Sequence, residues 1–195
     1  TMNPALGRPT RENLVGIMQQ MSVNSVLNSP GSSATPWVER GPNNVGGRTR
    51  AIMVDPNDAT KKTIWSAGVD GGLWKTTDIT ATSPNWAPVN DTFANIAITC
   101  LAYDSLHSDT MYFGTGEGWY NLDAVIGSGV WRTTNGGVSW SRLGSTTGSS
   151  FNYINKIAVH PTNHIVYVEK KNGIYISSNA GSTFTNIGYS GKNVS

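Results

Sequence analysis

One pattern of apolar segments and turns occurs three times in this chain, and this repeat constrains the fold more than any other feature. Each copy has two apolar segments, then a segment with an aromatic residue at its centre, then a turn that ends in a second aromatic residue. The central aromatics are Trp74, Trp131 and Tyr175, which lie 57 and 44 residues apart (74 to 131 to 175). Short strands bounded by turn residues explain this spacing, so each copy is predicted to form four strands.

Four short strands in every 45–55 residues or so are typical of one blade of a β-propeller. The sequence therefore predicts an all-β fold of about three four-stranded antiparallel blades, with boundaries at 37–92, 93–148 and 149–195. Known propellers close with four blades or more. Three blades alone would expose apolar faces and strand edges. We therefore expect the chain to be part of a ring of six to eight blades, completed by the same protein or by another chain.

The turn between the third and fourth strands has the same pattern in two copies, at residues 133–140 and 177–184. A hydroxyl residue is followed at fixed spacing by Asn, Gly and an aromatic residue. The Asn side chain can accept hydrogen bonds from backbone amides, and Gly tolerates positive φ. A structural role is predicted for Asn135, Gly137, Trp140, Asn179, Gly181 and Phe184. Asp78 stands at the Asn position in the first copy, where the turn is longer.

Residues 1–36 lie outside the repeat and are predicted to form an N-terminal arm. Leu14, Ile17, Met18 and Met21 would share one face of a short helix over about 12–27. The Ser-, Pro- and Gly-rich segment 29–36 is typical of a linker.

Charged residues make up 13% of the chain and the net charge is +2, so the sequence predicts no nucleic-acid binding. No apolar segment is long enough to cross a membrane as a helix.

Cys100 is the single cysteine and lies in an apolar segment, where a buried side chain is expected. The sequence predicts no cofactor, although Asp55 and Asp58 lie in a turn that can offer oxygens to calcium.

The three histidines, His107, His160 and His164, lie in predicted turns without a carboxylate or cysteine at ligand spacing. Zinc sites depend on such spaced ligands. The sequence therefore predicts no metal site.

Loops from the second to the third strand lie on the same face of a propeller as loops between blades. The residues predicted to lie on this face are Arg48, Asp70, Asp91, Glu117, Trp119, Tyr120, Asp123 and Tyr153. Aromatic rings beside carboxylates suit a sugar-binding site. Arg48, Asp91, Trp119, Tyr120 and Tyr153 are therefore the candidate ligand-binding residues.

A glycosidase needs two carboxylates about 5–9 Å apart. Glu117, Asp70 and Asp123 are the candidates for this role. The structural alternative is that Glu117 ties down its Gly-rich loop. The corresponding alternative for Arg48 and Arg50 is hydrogen bonding to carbonyls of inner strands.

The paired turns resemble the Asp-box, or bacterial neuraminidase repeat, although both copies have Asn where that repeat usually has Asp. Segments 37–50 and 114–119 resemble the first and second blades of exported Bacteroidota propellers. This resemblance implies secretion or display on the outer cell surface, with the type IX secretion machinery as a partner. More distant similarity extends to sialidases, xyloglucanase-type glycosidases and sortilin-type receptors.

Three functions are consistent with these patterns. The leading interpretation is a propeller that binds a glycan or another surface ligand. The first alternative is a glycoside hydrolase whose remaining catalytic residues lie outside this chain. The second is a protein-binding adhesin or scaffold.

Overall fold

The computed structural model describes residues 48–69, 71–89, 97–118, 124–170 and 173–188. These residues all belong to one unit of the chain, Arg40–Ser195. The arm predicted for residues 1–36 lies outside the described residues. Within the described ranges, no helix is long and apolar enough to cross a membrane.

The described residues form three four-stranded antiparallel sheets, in each of which the strands follow chain order. Sheet 1 contains β1 (Arg48–Val54), β2 (Ile64–Val69), β3 (Gly72–Thr76) and β4 (Ala87–Pro88). Sheet 2 contains β5 (Ile98–Asp104), β6 (His107–Thr115), β7 (Val130–Thr133) and β8 (Ser141–Arg142). Sheet 3 contains β9 (Ile154–Val159), β10 (Val166–Lys170), β11 (Gly173–Ser177) and β12 (Thr185–Asn186). The predicted all-β fold of three antiparallel blades is confirmed, while the exact blade boundaries stay predictions.

The three sheets place equivalent residues of the repeat at equivalent positions. Trp74, Trp131 and Tyr175 each lie in the third strand of a sheet and pair with a residue of its short fourth strand. That fourth strand begins directly after Trp86, Trp140 or Phe184 in the three copies. The repeat in the sequence is therefore a repeat in the structure. Two 3-10 turns, Gly144–Thr146 and Ser149–Phe151, connect sheet 2 to sheet 3.

Strand β6 contributes to two hydrophobic cores at once. Met111 and Phe113 pack with Trp65 in the core between sheets 1 and 2. Tyr112 packs with Ile154 and other residues in the core between sheets 2 and 3. Successive side chains of a strand point to opposite faces, so a strand between two blades is apolar throughout.

The two Asn turns, residues 133–140 and 177–184, have the same hydrogen bonds. In the first, the Thr133 hydroxyl donates to Asn135 Oδ1 at 2.8 Å and accepts from the Gly137 amide at 3.0 Å. Asn135 Oδ1 also accepts from the Ser139 amide at 3.0 Å. The second turn repeats these bonds with Ser177, Asn179, Gly181 and Thr183 in the corresponding positions.

Asp78 behaves differently from the two turn asparagines. Its Oδ1 accepts hydrogen bonds from the amide and the hydroxyl of Thr80, two residues later, at 2.9 and 2.5 Å. These bonds lower the pKa of the Asp78 carboxyl, the side-chain bond from Thr80 being the largest cause. The longer first turn is thus a local Asx-type turn, without the bond to the fourth following residue that defines the Asn turns.

Candidate functional site

A buried carboxylate between sheets 1 and 2 is held by two arginines. Glu117 Oε2 lies 2.7 Å from an Arg48 guanidinium nitrogen, and Oε1 lies 3.1 Å from one of Arg50. The Glu117 side chain is fully buried, whereas the Arg48 side chain is half exposed. Charge-assisted bonds of this length are strong, because both partners are ionised.

The chain after β6 positions Glu117 for this contact. The Gly116 amide donates to Ala97 O at 2.9 Å, and the Glu117 amide donates to Val125 O at 3.0 Å. Gly116 has a φ of +88°, which favours glycine. The Glu117 side chain is thereby directed to β1, where both Arg48 and Arg50 reach its carboxylate. The register of β1 with β2 shifts between Thr49 and Ala51, at Arg50.

The structure brings together only part of the predicted ligand face. Arg48 and Glu117 are in direct contact, and Tyr153 is half-buried just before β9. The remaining candidates lie outside the described residues: Asp70, Asp91, Trp119, Tyr120 and Asp123. The sequence predicts bonds from Arg48 and Arg50 to carbonyls of inner strands. It does not predict the Glu117 carboxylate, which both arginines hold in the structure. Arg50 and Arg48 lie 67 and 69 residues before Glu117 in the chain, so no local pattern indicated this pairing.

A cavity of about 440 Å³ lies where the first strands of the three sheets meet. Strand β5 packs against both β1 and β9. The lining residues are Arg50, Ala51, Ile52, Thr99, Cys100, Leu101, Asn155, Lys156 and Glu169. Both signs of charge and uncharged polar groups are therefore presented to one space. Sequence analysis missed this cavity, because its residues come from short runs on β1, β5 and β9 and from Glu169 of β10, which are far apart in the chain.

Asn155 is the polar group of this cavity that lacks a complete set of partners. Its side-chain nitrogen donates to Glu169 Oε1 at 3.4 Å. Its Oδ1 is buried and accepts no hydrogen bond within the described part of the chain. A Cβ atom at Gly118 would come within 2.3 Å of that oxygen, so glycine makes room for the amide. Buried polar atoms normally have a partner, and a missing partner requires an explanation.

Cys100 is buried beside the cavity, as the sequence predicts. Burial raises the pKa of its thiol to about 11, against the smaller opposing effect of the Thr99 hydroxyl. The thiol is therefore protonated and unreactive at neutral pH.

The turn considered for calcium uses its carboxylates for the protein itself. Asp58 accepts hydrogen bonds from the amides of Thr60, Lys62 and Thr63 at 2.7–3.0 Å. Asp55 Oδ1 accepts from the Asn57 amide at 2.9 Å, and Oδ2 lies 3.0 Å from Lys75 Nζ. These contacts give both carboxylates a structural role in the turn.

The expectation that the histidines lack a carboxylate partner is wrong for His164. Its Nδ1 lies 2.6 Å from Asp104 Oδ2, and His107 Nδ1 lies 3.7 Å from the same oxygen. Asp104 belongs to sheet 2, whereas His164 lies two residues before β10 of sheet 3. Ligand spacing along the chain therefore could not reveal the contact, which depends on how two sheets pack.

Comparison with known proteins identifies the fold. No family model and no curated protein matches the chain. Among solved structures, an ancestral GH74 enzyme has a TM-score of 0.56 and 21% identity, over 72% of this chain and 18% of its own. The GH74 xyloglucanase from Xanthomonas campestris has a TM-score of 0.52 and 18% identity, over 72% and 21%.

A third similar structure is YCF48 bound to D1 peptide. Its TM-score is 0.53 and its identity 17%, over 81% of this chain and 44% of its own. The chain thus spans less than half the length of each of these structures. Identities this low establish a β-propeller fold and no shared activity.

Proposed function

We propose that this chain is the ligand-binding part of a secreted or outer-surface β-propeller, and that the ligand enters the cavity between the first strands of its three sheets. The observation that carries the proposal is Asn155 Oδ1, a buried acceptor without a partner in the described part of the chain. A ligand hydroxyl or amide would donate to it. The family resemblance in the sequence supports export by the type IX machinery.

The chemistry of the lining favours a glycan. Asn155 Oδ1 and the Glu169 carboxylate accept hydrogen bonds, while Lys156 and Arg50 donate them. Sugar hydroxyls can do both, so one sugar unit can satisfy acceptors and donors side by side. A cavity of about 440 Å³ is within the range of small-molecule sites.

The glycoside hydrolase alternative depends on carboxylates that can reach a substrate. Both oxygens of Glu117 are held by guanidinium groups and its side chain is fully buried. This arrangement favours a structural role for Glu117. Asp70 and Asp123 remain the other catalytic candidates.

We expect further blades of the same protein to be the protein partner of this chain. Ile52 and Val54 of β1 are 71% and 43% exposed. On sheet 3, an open pocket of about 190 Å³ is lined by Ala158, Tyr167 and Ile174, together with Lys156 and Glu169 of the cavity. Blade faces of this kind bury against neighbouring blades, and the matched region is 44% or less of each similar solved structure.

Glycan binding by the intact protein tests the proposal. A glycan-array screen identifies a ligand, and isothermal titration calorimetry then measures its affinity. Asn155→Ala and Glu169→Gln are the cavity variants. Asn163→Ala, in an exposed turn away from the cavity, is the matched control. We expect the cavity variants to bind at least tenfold more weakly than the control. Equal affinity of the three variants would place the ligand elsewhere, and hydrolysis of the bound glycan would favour the enzyme.

A further inference from the structure

A cluster of two histidines and one aspartate joins sheets 2 and 3 on the side of the Asn turns. Asp104 ends β5, His107 begins β6, and His164 lies two residues before the start of β10. The ligand atoms of the three side chains all lie within 4.8 Å of one another. The two imidazole rings are stacked, with centroids 4.7 Å apart.

The turn accounts for the contacts of only one of the two carboxylate oxygens of Asp104. Oδ1 accepts a hydrogen bond from the Leu106 amide at 3.0 Å, as an Asx turn requires. The corresponding residue in sheet 1 is Asp55, which has the same turn bond to Asn57 and a lysine ammonium on its second oxygen. In sheet 2, the second oxygen faces two imidazoles instead of a lysine.

The cluster is partly buried. The Asp104 side chain is 6% exposed, and that of His164 is 38% exposed. Burial raises the pKa of Asp104, but the hydrogen bond from His164 and the other contacts outweigh it, so that the pKa is lowered overall. His164 has a φ of +60°, an unusual conformation for a residue with a side chain.

We propose that Asp104, His107 and His164 bind a divalent transition-metal ion of the zinc class. Two imidazole nitrogens and a carboxylate oxygen are a typical ligand set for Zn²⁺, with water in the fourth position. Mg²⁺ and Ca²⁺ prefer sites built of oxygen ligands and would bind poorly here.

Binding requires small, specific changes. The proton on His164 Nδ1 would move to Nε2, so that Nδ1 donates its lone pair to the metal. Metal–ligand bonds of about 2.0–2.2 Å place tetrahedral ligand atoms roughly 3.3 Å apart, so the contact between Asp104 and His164 must lengthen. His107 must turn out of the stack, and its side chain is 70% exposed and free to do so. The bound ion would crosslink sheets 2 and 3.

Titration of the EDTA-treated protein with Zn²⁺ tests the site, with Co²⁺ as a spectroscopic probe of coordination. The informative variant is His107→Ala, because this side chain is 70% exposed and its removal leaves no cavity in the core. His160→Gln is the matched control, since His160 also lies in a turn but outside the cluster. The melting temperature and calorimetric affinity are measured for each protein.

We expect one Zn²⁺ per chain, a higher melting temperature with Zn²⁺ and no effect of Mg²⁺ or Ca²⁺. His107→Ala should weaken Zn²⁺ binding at least tenfold, whereas His160→Gln should leave it unchanged. Absence of stoichiometric binding would overturn the proposal. Equal binding by His107→Ala and the native protein would overturn it too. Neither result bears on the glycan site, which lies in a separate cavity.

Discussion

Gly137 of sheet 2 lies directly against the indole ring of Trp65 in sheet 1. A Cβ atom at residue 137 would stand 2.3 Å from Cη2 of that ring, much closer than real contacts allow. Gly181 has the corresponding position in sheet 3, where a Cβ atom would lie 2.4 Å from Cδ1 of Leu143 in sheet 2. Each Asn turn therefore carries a point of close approach to the preceding blade.

Alanine substitutions at three glycines should separate backbone strain from this contact. Gly137, Gly181 and Gly188 have φ values of +84°, +88° and +80°, but nothing lies within 4 Å of a Cβ at Gly188. We expect Gly188→Ala to cost about 1–2 kcal/mol for the left-handed backbone. Gly137→Ala should cost about 1–3 kcal/mol more, because a rigid ring must move. Gly181→Ala should fall between them, since the end of Leu143 can rotate.

Urea denaturation measures the three free energies of unfolding. Equal losses for the three variants would show that the approach of the sheets is not limited by the turn glycines.

The amide of Asn135 should be replaceable by a carboxylate but not by a methyl group. Its Oδ1 accepts from the Thr133 hydroxyl and the Ser139 amide, and its Nδ2 donates to the Ser139 hydroxyl at 2.8 Å. In Asn135→Asp, the Ser139 hydroxyl can reverse and donate to the new oxygen, so a change below about 0.5 kcal/mol is expected. Asn135→Ala loses all three bonds and should cost about 1–3 kcal/mol. Thermal and urea unfolding compare the two, and a larger loss for the aspartate would refute this account of the turn.

Removal of the Glu117 charge should destabilise the contact between sheets 1 and 2. Glu117→Gln keeps the shape of the side chain but leaves two guanidinium groups without their carboxylate. Breaking a buried ion pair costs about 3–5 kcal/mol, and the exposed fraction of Arg48 lowers the expected loss to roughly 2–3 kcal/mol. Arg48→Met should cost under about 1 kcal/mol, because that side chain is half exposed. If Glu117→Gln were as stable as the native protein, Glu117 would be available for a role beyond structure.

Acid should weaken the turn that Asp58 organises. The Thr60 hydroxyl, followed by the Thr63 amide, lowers the pKa of the Asp58 carboxyl well below its usual range. A lowered folded-state pKa contributes stability above the unfolded pKa of about 3.9, and that stability is lost as the pH falls below it. Asp58→Asn should therefore be less stable than the native protein at pH 7, with a smaller difference at pH 3.

The exposed Asp109 supplies the control for this comparison, and Asp109→Asn should have little effect at either pH. Guanidinium denaturation of the three proteins at pH 7 and pH 3 gives the required free energies. A difference between Asp58→Asn and the native protein that grows toward pH 3 would contradict the assigned sign.

Local chemistry in the sequence determined the strands and turns of this protein. Alternating apolar residues specify strands, and the Asn and Gly positions at 135, 137, 179 and 181 specify turns through bonds between residues at most four positions apart. Because these interactions are short in range, and the strands recur three times and the Asn turns twice, the four-stranded period and the positions of Trp74, Trp131 and Tyr175 could be predicted.

Only the tertiary structure decided which side chains meet between sheets. Glu117 contacts Arg48, which is 69 residues away in the chain, and Asp104 contacts His164, which is 60 residues away. No sequence pattern indicates either pair. The inner cavity likewise combines short runs from different strands, among them Asn155, whose buried oxygen has no partner within the described residues. Such contacts depend on the distance and rotation at which one sheet packs on the next. The combined packing of the two hydrophobic cores fixes this geometry, and no local pattern in the sequence encodes it.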